Sequence, residues 1–304
     1  MATERASSDI VVPARDGVGL AATLFMPAQP EAGRAVVIGP AMGVRRRFYG
    51  RFAEFLRQRG FIVLTFDYRG TGGSAGPEKS GTQLHAWGEQ DLAGAIDWLR
   101  NMQGATQVSV VAHSVSAQLL GLAANNDQLS AVILVAPQSG YWRLFGPYFK
   151  YLLAAGWTVG IPVLTTVLGR LPGWVLGGMD VPAGVAREWA RWGRHPEYIL
   201  SHRADTRAGF ARIVAPLLVF AMPDDPFAPP AAVKEIVGWY GSPRRAQREL
   251  RAAHGIGHFN FFKEGVVRPA WDETAAWLSG ETGSAPQTQT SGVSSRSSES
   301  RVAR

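Results

Sequence analysis

The sequence predicts an α/β fold, a mostly parallel sheet flanked by helices, with a helical cap inserted in the middle of the chain. Short β-branched runs, which are typical of buried strands, alternate with segments whose apolar residues recur at helical spacing. The alternation stops after Pro137 and resumes at Pro216. The residues between these two prolines are therefore predicted to be an insertion into one α/β core.

The elements follow in chain order. A hairpin comes first, because two apolar segments, 10–13 and 19–25, flank the turn signal Asp16-Gly17. The later strands are predicted from short apolar runs at 34–39, 61–66, 108–112, 131–136 and 216–221, and a last strand is predicted near 248–252. The helices between them are predicted from one apolar face each, at 48–59, 91–99, 115–124, 231–239 and 266–278.

The pattern of strands and helices predicts a core at 9–138 and 210–279, a cap at 139–209 and a tail at 280–304. The cap segment is rich in Trp, Tyr, Gly and Pro and shows no convincing pair of strands. Its stretch 151–169 carries no charge and nearly reaches the length of a membrane span. Its glycines and proline make a poor span, so we predict cap helices that line an apolar pocket and no stable membrane insertion. The tail is polar and is predicted to be disordered.

Composition narrows the function classes. The absence of cysteine excludes disulfides and thiolate chemistry. The net charge of +7 comes mostly from arginines that are dispersed, which favours a basic surface over a nucleic-acid site. Residues 1–8 contain no apolar signal core, so we expect a cytoplasmic protein. No cofactor or metal is expected, and Gly255 and Gly257 argue against a helical His254/His258 metal pair. The oligomeric state stays open.

The stretch 107–120 organises the chemistry. A buried strand passes into a helix at Ser114, which places the hydroxyl on a tight turn with helical N–H groups behind it. Small residues stand two before and two after it, Ala112 and Ser116, where the pattern Gly-x-Ser-x-Gly has glycines. A lone serine before a helix is more often an N-cap, but its partners later in the chain favour a nucleophile.

Two further candidates follow later strands. Asp225 lies beyond the strand at 216–221, and His258 lies in a Gly-His-Phe sequence after the last strand. The order Ser, Asp, His and the placement of each at a strand's carboxyl end favour a nucleophile, acid and base assembled at one edge of the sheet. Asp224 competes with Asp225, and His254 competes with His258.

Residues 10–279 resemble the α/β-hydrolase superfamily, in the bacterial serine-hydrolase branch akin to serine aminopeptidases and monoglyceride lipases. The resemblance rests on these segments: Gly39-Pro40-Ala41-Met42-Gly43, Asp67-Tyr68-Arg69-Gly70 with Ser74, the elbow at 112–116, Asp225-Pro226-x-x-Pro229 and Gly257-His258-Phe259. It implies that Ser114 attacks a carbonyl carbon, that His258 takes its proton and that Asp225 orients His258. It also implies that the Met42 and Val115 N–H groups hold the oxyanion. The chain departs from the family pattern at Pro40-Ala41, where His-Gly is usual.

The expected function is hydrolysis of a carboxylic ester with an apolar acyl or alcohol part, through an acyl-enzyme on a small-molecule substrate. Amidase or peptidase, lactonase, thioesterase and acyltransferase activities use the same residues and stay open. A binding protein on an inactive hydrolase scaffold is the alternative from another class. Arg45-Arg46-Arg47 is interpreted as a solvated helix start or as a clamp for an anionic substrate group.

Overall fold

The computed structural model describes residues 7–29, 33–74, 81–102 and 104–281. Eight of its strands form one sheet: β1 Ser7–Pro13, β2 Gly19–Phe25, β3 Arg34–Gly39, β4 Ile62–Phe66, β5 Gln107–His113, β6 Val132–Val135, β9 Leu217–Ala221 and β10 Arg245–Glu249. Their order across the sheet is β1-β2-β4-β3-β5-β6-β9-β10. Pairs β1–β2 and β2–β4 are antiparallel, and every later pair is parallel. The predicted fold class is confirmed.

Helices connect these strands. Their bounds are α1 Gly50–Arg57, α2 Leu84–Ala86, α3 Ala93–Asn101, α4 Val115–Leu119, α5 Phe149–Ala155, α6 Ile161–Leu168, α7 Gly173–Leu176, α8 Ala183–Arg194, α9 Thr206–Ala211, α10 Pro230–Trp239 and α11 Arg268–Leu278. Wider π-helical turns, Trp87–Leu92 and Gly156–Gly160, join α2 to α3 and α5 to α6. Both junctions are continuous helix, so 149–168 is a single rod.

The central strands are buried along their whole length, as helices on both faces of a parallel sheet require. The last strand differs from the prediction, because β10 lies three residues earlier than the predicted 248–252. It is an edge strand, Arg-Ala-Gln-Arg-Glu, whose side chains are exposed or half-buried. A search for apolar runs misses such a strand, since charged residues protect sheet edges from further pairing.

The segment between β6 and β9 leaves the sheet and contains α5 to α9. It also contains a two-stranded ribbon, β7 (Arg170–Leu171) and β8 (Val181–Pro182), which the sequence did not indicate. The ribbon turn packs on the loop after β3, where the Met179 N–H donates to the Gly43 carbonyl at 2.7 Å. A Cβ at Gly178 would overlap the same carbonyl, so this approach requires glycine. The inserted segment is thereby anchored beside the carboxyl end of the sheet. The predicted tail lies almost wholly outside the described residues.

Two ion pairs of Arg69 fix the loops at this edge. The Arg69 Nε donates to Asp91 at 2.6 Å, and its two terminal nitrogens bind Asp16 in the first hairpin turn. Burial raises the pKa of Asp91 to about 6, against the opposing effect of the Arg69 guanidinium. The glycine-rich loop 69–74 is therefore tied to the π-helical turn and to the hairpin.

Candidate active site

Ser114 sits at the turn between β5 and α4 with φ 54° and ψ −114°. Positive φ is uncommon outside glycine, and a strained residue at a strand–helix junction is a feature of functional sites. The serine N–H donates to the Val135 carbonyl at 3.0 Å, which extends the ladder between β5 and β6 by one residue. The turn is therefore held by the sheet itself, and the hydroxyl projects beyond the sheet's edge.

The sequence left open how this turn accommodates Ser116 where a glycine is usual. The close approach occurs on the neighbouring strand, because a Cβ at Gly39 would lie 2.7 Å from the Ser116 side chain. The Ser116 hydroxyl donates to the Pro40 carbonyl at 2.6 Å, and the Tyr68 hydroxyl lies 2.7 Å from it. Gly39 thus supplies the clearance that glycine at 116 would supply, and the hydroxyl pins the loop after β3 to the elbow.

The structure brings the three predicted side chains together. His258 Nε2 lies 2.8 Å from the Ser114 Oγ, and His258 Nδ1 lies 2.6 Å from the Asp225 Oδ2. All three side chains are buried. The second carboxylate oxygen of Asp225 accepts the Phe227 N–H at 2.8 Å, which fixes the orientation of the carboxylate. This geometry matches a nucleophile hydrogen-bonded to a base, which is in turn hydrogen-bonded to an orienting acid.

The two competing residues lie elsewhere. The Asp224 carboxylate accepts the Ile256 and Gly257 N–H groups, at 2.6 and 2.9 Å, and so anchors the loop that carries His258. A Cβ at Gly255 would lie 2.7 Å from this carboxylate, and Gly255 also has positive φ. His254 is exposed on the same loop, and in the described structure no hydrogen bond joins it to Ser114.

Two residues with a free backbone N–H lie beside Ser114. Met42 and Val115 both line the cavity there, and within the described residues neither N–H has an acceptor. The neighbouring Ala41 N–H, by contrast, donates to the Tyr49 hydroxyl at 2.8 Å. Among the described residues, both amides that the sequence singled out are thus without an acceptor.

The cavity has a volume of about 320 Å³ and reaches from Ser114 and His258 into the inserted segment. Apart from the residues already named, its lining is almost wholly apolar: Phe145, Phe149, Leu152, Leu153, Trp157, Ile161, Val175, Leu176, Trp189, Phe227 and Phe259. It can hold a small apolar group next to the serine hydroxyl.

A family model described as "Alpha/beta hydrolase family" matches residues 36–277, which include β3, the elbow, the inserted segment and both later candidates. The chain belongs to the alpha/beta hydrolase family. This membership covers most of the chain and agrees with the strand order and with the turn at Ser114.

Solved structures of low identity share the fold of this α/β hydrolase. Est1E from Butyrivibrio proteoclasticus, solved with ferulic acid, is 18% identical over 90% of this chain and 98% of its own, with a TM-score of 0.62. An esterase from Pyrococcus furiosus is 17% identical over 91% of this chain and 93% of its own, with a TM-score of 0.59. A monoacylglycerol lipase from Paleococcus ferrophilus is 18% identical over 86% and 99%, with a TM-score of 0.58.

A buried series of hydrogen bonds, which the sequence did not predict, lies behind the turn at Ser114 in this α/β hydrolase. His113 Nε2 lies 2.9 Å from the His258 carbonyl, which only accepts, so Nε2 carries the proton. The Tyr49 hydroxyl then donates to His113 Nδ1 at 2.9 Å and accepts the Ala41 N–H. Burial holds the pKa of His113 well below its usual value, so the ring stays neutral. The loop before Met42 is thereby linked to the backbone of His258.

Tyr49→Phe should lower both the stability and the turnover of this α/β hydrolase. It leaves the Ala41 N–H and His113 Nδ1 buried without partners, at about 1–3 kcal/mol for each group. The loop that carries Met42 then loses its anchor, so kcat should fall while KM changes little. Chemical denaturation and ester kinetics measure the two effects.

Tyr240→Phe is the matched control, since that buried hydroxyl donates to the Ala117 carbonyl at 2.6 Å and does not touch the loop after β3. It should lower stability and leave kcat unchanged. Equal kcat in the Tyr49 and Tyr240 variants would show that the Tyr49 hydroxyl contributes to stability alone.

Gln138 was also missed by the sequence. Its side-chain amide donates to the Ser114 Oγ at 3.1 Å, while its backbone carbonyl accepts from Gln118 at 3.0 Å. Tyr198, in the inserted segment, donates to the Gln118 side-chain oxygen at 2.7 Å. Gln138 could have been found from its position three residues after the end of β6, because open α/β sheets place their sites beyond the carboxyl ends of the strands. The serine hydroxyl is thus held from two sides, by His258 and by Gln138.

The arginine triplet does not form an anion clamp as a unit. Arg46 is buried, and its backbone and guanidinium both donate to the Asp67 carboxylate at 2.7 Å. Arg47 pairs with Asp9 at 3.1 Å. The interpretation of a solvated helix start is therefore wrong for Arg46, whose charge is used to hold the turn after β4.

One group of possible metal ligands occurs in the described residues, at His85, Glu188 and His202, whose ligand atoms lie within 4.8 Å of one another. The Glu188 carboxylate is already occupied by the His85 backbone and ring at 2.9 Å and by Arg191 at 2.7 Å. The hydrogen bond to Glu188 raises the pKa of His85, against the opposing effects of burial and of the Arg191 charge. The cluster is an ion pair that fastens α8 of the inserted segment to α2 of the core.

Proposed function

We propose that this protein is a serine hydrolase that cleaves carboxylic esters with an apolar acyl or alcohol part. The observation that carries the proposal is the continuous hydrogen-bonded series from Ser114 Oγ through His258 to Asp225, at 2.8 and 2.6 Å. The series opens into an apolar cavity with two unpaired N–H groups beside the serine. Membership of the hydrolase family supports the same reaction class.

The reaction follows from the geometry. His258 Nε2 takes the hydroxyl proton while Ser114 Oγ bonds to the ester carbonyl carbon. The negative charge moves to the former carbonyl oxygen, where the Met42 and Val115 N–H groups donate to it. The carbon–oxygen bond of the leaving alcohol then breaks, and the alcohol takes the proton from His258. Water, deprotonated by the same nitrogen, cleaves the acyl-serine and restores the hydroxyl.

Asp225 keeps the proton of neutral His258 on Nδ1, so that Nε2 is free to accept. It also stabilises the imidazolium formed during attack. Gln138 donates to the same serine oxygen, and this contact holds the hydroxyl in the direction from which it attacks.

A fluorophosphonate probe tests the proposal directly, because it bonds covalently to an activated serine hydroxyl. Labelling should occur at Ser114 and should be lost in His258→Ala. Absence of labelling in the folded protein would favour a binding protein on an inactive scaffold. A matched series of p-nitrophenyl esters, anilides and thioesters then distinguishes an esterase from an amidase or thioesterase, and added alcohol acceptors reveal acyl transfer.

The cavity should select for chain length. Each buried methylene contributes up to about 0.8 kcal/mol, which is about a fourfold gain in kcat/KM per carbon until the space is full. We therefore expect kcat/KM to rise from acetyl to medium-chain p-nitrophenyl esters. Leu153→Asp, inside the cavity wall, should flatten this trend while fluorophosphonate labelling of Ser114 persists.

Leu168→Asp is the matched control on the same helical rod, since Leu168 lies outside that wall and is exposed. It should leave the chain-length trend unchanged. A preference for acetyl over longer esters would contradict an apolar acyl pocket.

A further inference from the structure

The helical rod formed by α5, its π-helical turn and α6 has two apolar faces. Among the described residues, Phe149–Leu168 is the one helix whose length and composition would allow it to cross a bilayer, with a mean hydropathy of 1.6. Only 17% of that apolar window is buried, whereas a core helix is mostly buried. Soluble surface helices normally turn a polar face to water. This rod therefore presents apolar surface that the protein core does not cover.

The inward face lines the cavity. Leu153, Trp157 and Ile161 recur at helical spacing there, and Trp157 packs on Trp189 with ring centroids 4.6 Å apart. This face packs the rod against the rest of the cap and beside the cavity.

The outward face carries large apolar side chains that are exposed. We define the outward face as the exposed set Tyr148, Tyr151, Leu152, Val159, Val163, Val167 and Leu168. Val159, Val163 and Val167 follow at intervals of four and are 59%, 52% and 74% exposed. Apolar surface on this scale marks an interaction site.

The cavity opens beside the outward face. Leu152 both lines the cavity and is 66% exposed, so it stands at the boundary between the two. The short helix α7 supplies Val175 and Leu176 to the same cavity wall and exposes Trp174 by 74%. Tryptophan is enriched at membrane–water interfaces.

The charges around the rod are positive. Lys150 stands at the start of the rod, and Arg143 stacks on Trp142, whose ring lies 6.4 Å from that of Tyr151. Arg187 donates to the hydroxyls of Thr165 and Thr166 on the rod itself. Within the described residues none of the three cations has an acidic partner. Residues 139–209 as a whole carry eight basic against four acidic side chains.

We propose that the outward face docks on the surface of an anionic lipid bilayer, with the rod lying in the plane of the interface. Apolar side chains on a helix that is flanked by arginine and lysine are the pattern of interfacial helices. The three unpaired cations complement anionic headgroups. A two-fold contact with a second copy would instead set these cations near their counterparts, which is repulsive. Docking places the cavity mouth against the lipid, where apolar molecules are concentrated.

Flotation with vesicles tests the docking without reference to catalysis. The Ser114→Ala protein is used throughout, so that no lipid is hydrolysed during the assay. Binding is then measured whether or not esters are the substrate. We expect binding to vesicles of phosphatidylglycerol and phosphatidylcholine, and weaker binding to phosphatidylcholine alone. Failure to bind the anionic vesicles overturns the proposal.

A matched pair of variants locates the contact. Val163→Asp with Val167→Asp should reduce binding to anionic vesicles by at least about tenfold, since charged side chains replace apolar ones at the interface. Val214→Asp is the control, because the exposure of Val214, 57%, lies between those of Val163 and Val167, but Val214 belongs to the segment leading into β9. Equal binding by the double variant and the control overturns the assignment of this face.

Arg143→Gln with Lys150→Gln tests the charge contribution. Each basic side chain at an anionic surface contributes about fivefold in binding. The pair should therefore reduce binding to anionic vesicles by more than about tenfold and leave binding to phosphatidylcholine unchanged. Self-association that is lost in the Val163/Val167 variant, without vesicle binding, would assign the face to a second copy instead.

Discussion

Ser114→Ala is expected to reduce ester hydrolysis by on the order of a thousandfold or more while the fold stays intact. In the proposed mechanism the hydroxyl makes the bond to the carbonyl carbon, and it lies 2.8 Å from His258 Nε2, the nitrogen that would remove its proton. Without it, only cavity binding and the Met42 and Val115 N–H groups remain to accelerate attack by water. Initial rates with a medium-chain p-nitrophenyl ester, together with fluorophosphonate labelling, measure the loss.

Ser109→Ala is the matched control, since Ser109 is a buried serine on the same strand, β5, and does not contact His258. It should keep both activity and labelling. Near-normal hydrolysis by a folded Ser114→Ala protein would refute the proposed mechanism.

Asp225→Asn is expected to lower kcat by up to about four orders of magnitude, as the equivalent change does in serine proteases. The buried carboxylate accepts from His258 Nδ1 at 2.6 Å. An amide NH₂ in its place stabilises the tautomer with the proton on Nε2, which cannot accept the Ser114 proton. KM should change little, because Asp225 lies behind the histidine and outside the cavity wall.

Asp224→Asn is the neighbouring comparison. The Asp224 carboxylate accepts two backbone N–H groups, from Ile256 and Gly257, through one oxygen. An asparagine oxygen can accept the same bonds, so activity should stay within about tenfold of the original value. Asp224→Ala removes the acceptor and should lower stability first. A greater kcat loss in Asp224→Asn than in Asp225→Asn would reverse the assignment of the acid.

The helical rod of the cap links the two proposals while keeping them separately testable. Its inward face forms the apolar wall beside Ser114, and its outward face is the proposed lipid contact. Leu153→Asp acts on the first face, and the Val163/Val167 variant acts on the second. If only vesicle binding falls in the latter, the two faces have independent roles.

The sequence alone determined the layer architecture. A central strand of the core is a run of four to seven mostly apolar residues, and the apolar residues of a helix recur every three or four positions. Both signals are local, so the alternation up to Pro137 and after Pro216 was sufficient to predict a parallel sheet with an insertion. The elbow was also readable, because a nucleophile turn needs small residues at fixed distances along the chain. The motif segments were sufficient to identify the family.

Only the tertiary structure decided which of several similar residues meet. Asp224 and Asp225 are adjacent, and a one-residue difference turns one carboxylate to His258 and the other to the loop behind it. Tyr49 and His113 are 64 residues apart and meet because their elements pack at the same sheet edge. Gly39 gives Ser116 its space through the pairing of β3 with β5. The sequence likewise did not indicate which side chains of the apolar stretch 151–169 line the cavity and which are exposed. The packing of the helix decides this. These contacts join residues that are far apart in the sequence. Which residues meet depends on how loops from separate strands converge in space, and the local spacing of apolar residues does not contain that information.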